Sequence, residues 1–420
     1  MIDLKLLRQN PDHFRQACQA KGMDPALIDQ LLKVDQTVRH LTAQADQLRA
    51  QRNQITEKLK TKKDNQLVAK ASRIKQEIKK IESQLAELRP RLKQLLFDIP
   101  NPPAADVKTG KDESENEVIK TWGKKPQFDF TPLDHLALGE KLDLIDVKRA
   151  AKVSGSRFGY LKNELVLLEV ALVRYAFDQL LKEGFTPVIP PVMVKEEAMQ
   201  AMGYLEHGGE NETYHFKKDK LYLVGTSEQS LGPMHANEVF AEKDLPRRYV
   251  GFSTCFRREA GSYGKDTRGI FRVHQFDKME MFVFARPQDS DKEHHYLLSL
   301  EEKLVQALKL PYRVVKMCSG DLGHPAARKY DIECWFPGQN RYRETHSVST
   351  CTDFQARRLN IKYQSANDNQ LHFVHTLNGT YFAPRLILAI LENYQQKDGS
   401  VKVPSVLQPY LDLKVIKPKS

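Results

Sequence analysis

Two stretches of this chain set strongly charged side chains at alternating spacing with a loop between them. Cys255-Phe256-Arg257-Arg258-Glu259 comes first. After the loop Gly261–Asp266 follows the run from Arg268 through Arg272 and Phe276 to Glu280. Alternate residues of an extended strand share a face, so Arg257 and Glu259 point the same way. Strand, glycine-bearing loop and second alternating run predict a β-hairpin. Its faces would carry Arg257, Glu259, Arg272, Phe276 and Glu280. Burying that many charges is costly unless they meet a charged, hydrogen-bonding ligand.

The elements that must position these residues can be read outward from the hairpin. Gly184 to Pro191 follows an amphipathic segment, Leu165–Lys182. A glycine after a helix, then prolines around a short apolar run, predicts helix, C-cap and edge strand. Short β-like runs such as Tyr222-Leu223-Val224 and Met281–Phe284, mixed with helical stretches, predict an α+β domain around an antiparallel sheet. His274 reads as structural, and His294-His295 as an exposed helix pair.

The first hundred residues differ in kind. Asn10-Pro11 reads as N-cap and first helical position. Apolar residues then recur at three-four spacing from Leu31 to Leu59, with Arg52 interrupting, and again from Leu67 to Leu95. Thr61–Gln66 between them is of turn composition. The pattern predicts an antiparallel coiled-coil hairpin with arms of roughly 40–45 Å, kinked at Pro90. Arg39, Arg49, Arg73, Lys75, Lys79 and Lys80 decorate its outer positions. On their own these are a solvated coiled-coil face or a ruler lying along a phosphate backbone. Ile99–Pro103 stops the helix. The domains expected are a helical domain over 1–103, a polar linker over 104–135 and a second domain over 136–420.

Composition narrows the classes. A 420-residue chain with 40% hydrophobic and 28% charged residues is neither disordered nor membranous, and no run of about 18 apolar residues occurs. The net charge of +11 suggests a polyanionic partner. Cys18, Cys255, Cys318, Cys334 and Cys351 are scattered without a C-x-x-C pair, which predicts a reducing compartment, the cytoplasm by default, and no zinc.

Phe256-Arg257-Arg258-Glu259 resembles the second signature motif of class II aminoacyl-tRNA synthetases. Gly184–Pro191 resembles their first motif, which carries the dimer interface. Gly379-Thr380-Tyr381-Phe382-Ala383-Pro384-Arg385 with Leu386–Leu391 resembles the third. Within that class the seryl-tRNA synthetase family matches best. The matching stretches are Thr226-Ser227-Glu228, Arg272–Glu280, Thr352–Arg358, His375–Thr380 and Glu392–Gln396, besides the N-terminal hairpin, so nearly the whole chain is covered. His346, Thr350, Pro384 and Gln229 depart from the usual family text.

The resemblance implies a class II antiparallel sheet with flanking helices, ATP and Mg2+, L-serine, tRNA(Ser) and also tRNA(Sec), and a homodimer. It implies Arg257 on the α-phosphate, Glu259 on the adenine amino group, and Phe276 with Arg385 sandwiching adenine. Arg272 would meet the terminal phosphates. Arg258, Thr345 and His346 would complete the ATP contacts, with Glu344 and Ser347 holding magnesium; Arg257, Arg385 and Glu344 would be the catalytic centre. Thr226, Ser227, Glu228, Arg257, Glu280, Asn378 and Thr380 would surround serine. An alternative is a class II-like ligase loading an amino acid onto a carrier protein, whose relatives lack the arm.

Overall fold

The computed structural model describes residues 1–260 and 269–418. The loop read at Gly261–Asp266, and Arg268 after it, lie outside the described residues. The chain divides into two compact units, Met1–Pro100 and Asn101–Ser420.

The first unit is helical: α1 (Leu4–Gln9), α2 (Pro11–Ala20), α3 (Ala26–Thr61) and α4 (Asn65–Asp98). Asn10 caps α2, its side chain accepting from the His13 amide at 3.4 Å with Pro11 in the first turn. Asp64 caps α4 through the Gln66 and Leu67 amides, so the turn between the long helices is three residues, 62–64. Ala45, Ile81 and Leu85 form one block of the seam between α3 and α4, and Ile55, Ile74 and Ile78 another. With 36 and 34 residues the helices run roughly 54 and 51 Å. This exceeds the expectation because α3 starts at Ala26, ahead of the first heptad residue. Helix α4 stays continuous through Pro90.

The second unit is built on an eight-stranded sheet among the described residues. In chain order its strands are β1 (Glu117–Trp122), β2 (Thr186–Val188), β3 (Arg247–Phe256), β4 (Gln275–Ala285), β5 (Tyr312–Lys316), β6 (Arg328–Phe336), β7 (Arg341–Thr350) and β8 (His375–Phe382). Their spatial order is β1-β5-β6-β7-β8-β4-β3-β2, antiparallel throughout except β2 beside β3. The predicted hairpin is β3–β4, in continuous register from Phe256 opposite Gln275 to Arg247 opposite Phe284; Arg257, Glu259 and Arg272, expected on its faces, lie beyond the strand ends, because the ladder stops at Phe256 and Gln275. One face is covered by α5 (Glu164–Lys182), α6 (Ser290–Ala307) and α7 (Pro384–Tyr394), whose apolar residues meet Met279, Met281, Val283, Val348 and Leu377 in the main core. The other face is open at its centre and holds the polar cleft.

Two expectations are corrected. Residues 104–135, read as linker from their polar composition, contain edge strand β1, which pairs with β5. An exposed edge strand needs no apolar alternation, so composition hid it. His294 is not an exposed helix residue: it is fully buried on the sheet side of α6, its Nε2 3.3 Å from the Val348 carbonyl and its ring 5.2 Å from Tyr330. Burial pulls its pKa down to about 3; its neighbour His295 is exposed as expected.

Candidate active site

The cleft has a volume of about 870 Å3 and is floored by β3, β4, β7 and β8. Phe276, Lys278 and Glu280, alternate residues of β4, face into it. Glu280 is 1% exposed; it pairs with Lys278 and accepts from the Thr380 hydroxyl at 3.4 Å. The Lys278 ammonium donates to the Thr226 hydroxyl at 3.1 Å. Glu228, 2% exposed, accepts from the Tyr204 hydroxyl. Segment Thr226–Leu231 lies close on β3 because residue 251 is glycine: a Cβ there would stand 2.8 Å from that of Ser227. Burial, then the Glu280 charge, pushes the Glu228 carboxyl up to about 7, and burial also raises Glu280 against the pull of Lys278. Two buried carboxylates facing one ammonium form a pocket suited to a second cation.

The rest of the cleft is arginine-lined. The Arg257 Nε donates to the Gly225 carbonyl at 3.1 Å, and its guanidinium lies 5.4 Å from the Phe276 ring centre. Glu259 turns out of β3 with φ +52 and accepts from Arg272 at 3.1 Å. Arg385, just inside α7, donates to the Glu344 carboxylate at 2.9 Å and lies over Phe271 at 4.6 Å. Burial pushes Glu344 up, but Arg385 and Lys329 outweigh it and hold its carboxyl at about 2. Next to it burial pushes Asp331 up to about 7, against its partner Lys329.

Glu344 and Ser347 reach the cleft together through a β-bulge. Residues three apart on a regular strand face opposite ways. Ile332 pairs with His346 but Glu333 with Glu344, so Thr345 is an extra residue and both Glu344 and Ser347 face the cleft. An ionised carboxylate and a hydroxyl on one face are hard oxygen donors of the kind Mg2+ takes. Among the described residues no group of three or more His, Cys, Asp and Glu forms a ready metal cage.

Comparison with known proteins agrees with this geometry. Residues 1–103 match the family model "Seryl-tRNA synthetase N-terminal domain", and 213–394 the "tRNA synthetase class II core domain (G, H, P, S and T)". The serine-tRNA ligase of Dictyoglomus thermophilum is 46% identical over the full length of both chains. Seryl-tRNA synthetase from Pyrococcus horikoshii, solved with ATP, is 42% identical, covers 100% of both chains and superposes with a TM-score of 0.95. The cytoplasmic serine-tRNA ligase of Naegleria fowleri, solved with AMP, is 34% identical over 100% of this chain and 99% of its own, with a TM-score of 0.89. This chain belongs to the seryl-tRNA synthetase family. It is thereby a class II aminoacyl-tRNA synthetase.

Most residues that the family resemblance singled out meet in the cleft: Thr226, Glu228, Arg257, Glu259, Arg272, Phe276, Glu280, Glu344, Ser347, Asn378, Thr380 and Arg385 all line it. Three do not. Arg258 points away, its guanidinium 5.3 Å from the Tyr214 ring centre. Ser227 is fully buried beneath the floor, bonded to Ser253. The His346 ring is buried in the core, where burial pulls it down to about 3. Thr345 lines the cleft, but its hydroxyl faces inward to His346 Nδ1 at 2.8 Å and to the Ile332 carbonyl. Tyr204, Lys278 and Lys329, to which sequence reasoning assigned no role, also line the cleft, and Asp331 stands behind it as the partner of Lys329.

On the first unit, Arg39 pairs with Asp35, and Arg49 with Asp46 and Glu82. Arg73, Lys75, Lys79 and Lys80 are exposed along α4. Among the described residues no helix is long and apolar enough to cross a membrane.

Proposed function

We propose that this chain activates L-serine with ATP to seryl-adenylate and transfers the seryl group to tRNA(Ser). The serine carboxylate attacks the α-phosphate and pyrophosphate leaves. A terminal ribose hydroxyl of the tRNA then attacks the seryl carbonyl and AMP leaves. Neither step requires a covalent enzyme intermediate, so orientation and charge neutralisation carry the catalysis. The observation that carries the reading is the pocket of buried Glu228, Glu280 and Thr380 beside Arg257, since it offers a cation site and a hydroxyl site next to a phosphate-binding fork.

In this reading Glu280 and Glu228 receive the serine ammonium. Thr226, Thr380 and Asn378 supply polar contacts, Thr380 among them to the serine hydroxyl, while Ser227 braces the segment from beneath. A site built to hydrogen-bond that hydroxyl rejects alanine strongly, and the enclosed pocket rejects threonine by shape. Arg257, aimed by its bond to Gly225, holds the α-phosphate through its planar fork. Arg272 takes the outer phosphates, Phe276 and Arg385 sandwich the adenine ring with Arg385 also near the γ-phosphate, and Glu259 meets the adenine amino group. Thr345 and His346 contribute main chain only, and Arg258 stands outside the ATP site. Glu344 and Ser347 would hold Mg2+, which supplies neutralisation of the charge gathering on the departing pyrophosphate.

Two features of the molecule support the finer partners. Val166, Leu167 and Val170 on α5 and Ile189 after β2, the last 83% exposed, are exposed apolar residues of the kind a homodimer would cover. The exposed α4 cations support tRNA binding along the arm. The match over 1–103 speaks against a ligase that loads a carrier protein, and five buried, free cysteines support a cytoplasmic setting.

The test is pyrophosphate exchange with serine, threonine, alanine and glycine, followed by charging of unfractionated tRNA. Serine-dependent exchange with serine accumulating on tRNA is expected. Exchange without charging would turn the reading toward a carrier-protein ligase, and absence of exchange would refute it.

A further inference from the structure

The small hairpin beside the cleft carries a concentrated charge that the serine and ATP contacts do not use. Its strands are His215–Phe216 and Leu221–Leu223, antiparallel. Lys217, Lys218 and Lys220 at its tip are exposed, with Asp219 the single acid among them. Phe216 beside them is 42% exposed.

The hairpin grows directly out of the cleft wall. Glu212 and Thr213 line the cleft, and Lys217 follows Thr213 by four residues, roughly 13 Å of extended chain. The same wall is tied to the end of β3: the Arg258 amide donates to the Glu212 carbonyl at 2.9 Å, and the exposed Arg258 guanidinium lies over the Tyr214 ring. Three lysines, an arginine on a tyrosine and an exposed phenylalanine therefore form one surface leading to the mouth of the adenylate pocket. Single-stranded nucleic acid is gripped by this combination, cations tracking its phosphates and aromatic or guanidinium planes stacking its bases.

We infer that the 214–220 hairpin, together with Arg258, is a docking surface for the single-stranded 3′ end of the tRNA, guiding it into the cleft. This deepens the proposed function and rests on it: the 3′ end must reach a seryl group held at Glu280, and this rim borders the cleft that holds it.

The experiment compares the full-length parent with two triple variants. One is Lys217→Ala, Lys218→Ala, Lys220→Ala; the other replaces the same lysines by arginine. Serine-dependent exchange should be the same in all three, since these lysines touch neither the serine nor the ATP site. For tRNA charging, the alanine triple should lower kcat/KM about tenfold or more at physiological salt. It should also flatten the slope of log(kcat/KM) against log salt by about 2. The arginine triple should keep the parent's slope. An alanine triple with the parent's kcat/KM and slope would overturn the inference, as would an arginine triple that loses as much as the alanine one. A parent lacking exchange altogether would instead strike the proposed function.

Discussion

Glu228 and Glu280 share one pocket with Lys278, and this makes serine affinity a titration. With Glu228 pushed up to about 7 by burial and by Glu280, the empty pocket holds a proton below that pH and an extra negative charge above it. A serine ammonium binds the ionised form, so binding releases the proton. Below about pH 7 the serine Kd should rise as pH falls, by up to about tenfold per unit; above it the Kd should level. Calorimetric titration in buffers of different ionisation enthalpy reads both the slope and the proton. In Glu228→Gln the slope should vanish; a parent Kd flat from pH 5.5 to 8 would exclude the carboxylate as the titrating group. Phe276 and Glu280 were legible because strand alternation is local, whereas Arg257 and Glu259 lie past the end of β3 and were legible only through the family motif they match. Lys278 sits in that same alternation between Phe276 and Glu280, so the signal for it was present. Tyr204 gave none: it meets Glu228 from a separate turn 24 residues away, and no local periodicity encodes such a contact.

Among the secondary-structure elements, helix α6 carries an anomaly. Glu301 is fully buried, neither carboxyl oxygen has a hydrogen-bond partner among the described residues, and it presses on β8 so closely that a Cβ at Gly379 would stand 3.0 Å from its Oε1. Burial holds its pKa well above the ordinary 4.5. The sign follows: below 4.5 folded and unfolded chains both keep the proton, whereas above it the unfolded chain releases it and the folded one does not. Stability is therefore lost as pH rises, by up to about 1.4 kcal/mol per unit until the folded pKa is reached. Glu301→Leu should remove that slope, and its gain in melting temperature by calorimetry should widen from pH 5 to pH 8. A gain of the same size at every pH would show that the carboxyl is not titrating. The helical hairpin, the β3–β4 pair and the edge strand after Gly184 were legible because heptads, alternation and Gly/Pro punctuation are written along the chain. The bulge at Thr345 was not. It depends on register between β6 and β7, yet it decides that Glu344 and Ser347 share a face while the His346 side chain leaves the cleft.

At the scale of the whole molecule, the charge and the two units make separable demands. The second unit contains its own core and every residue of the cleft, while the outer arm is held by blocks internal to the hairpin. Ala45 and Leu85 belong to the same block, so the chain can be cut at both and rejoined through a short Gly-Ser turn. That deletion removes Arg49, Arg73, Lys75, Lys79 and Lys80 but touches nothing in the cleft. Serine-dependent pyrophosphate exchange should stay within about twofold of the parent, because activation needs only serine, ATP and the cleft. Charging of tRNA(Ser) should be abolished, and binding of tRNA should lose much of its salt dependence, since roughly one counterion is released per phosphate a cation neutralises. Filter binding across a salt series, beside the two enzyme assays, separates the cases. Undiminished charging would make the arm's cations a solvated coiled-coil face. Loss of charging together with an unchanged salt slope would mean that the arm positions tRNA by shape, and that the positive charge driving association lies on the second unit.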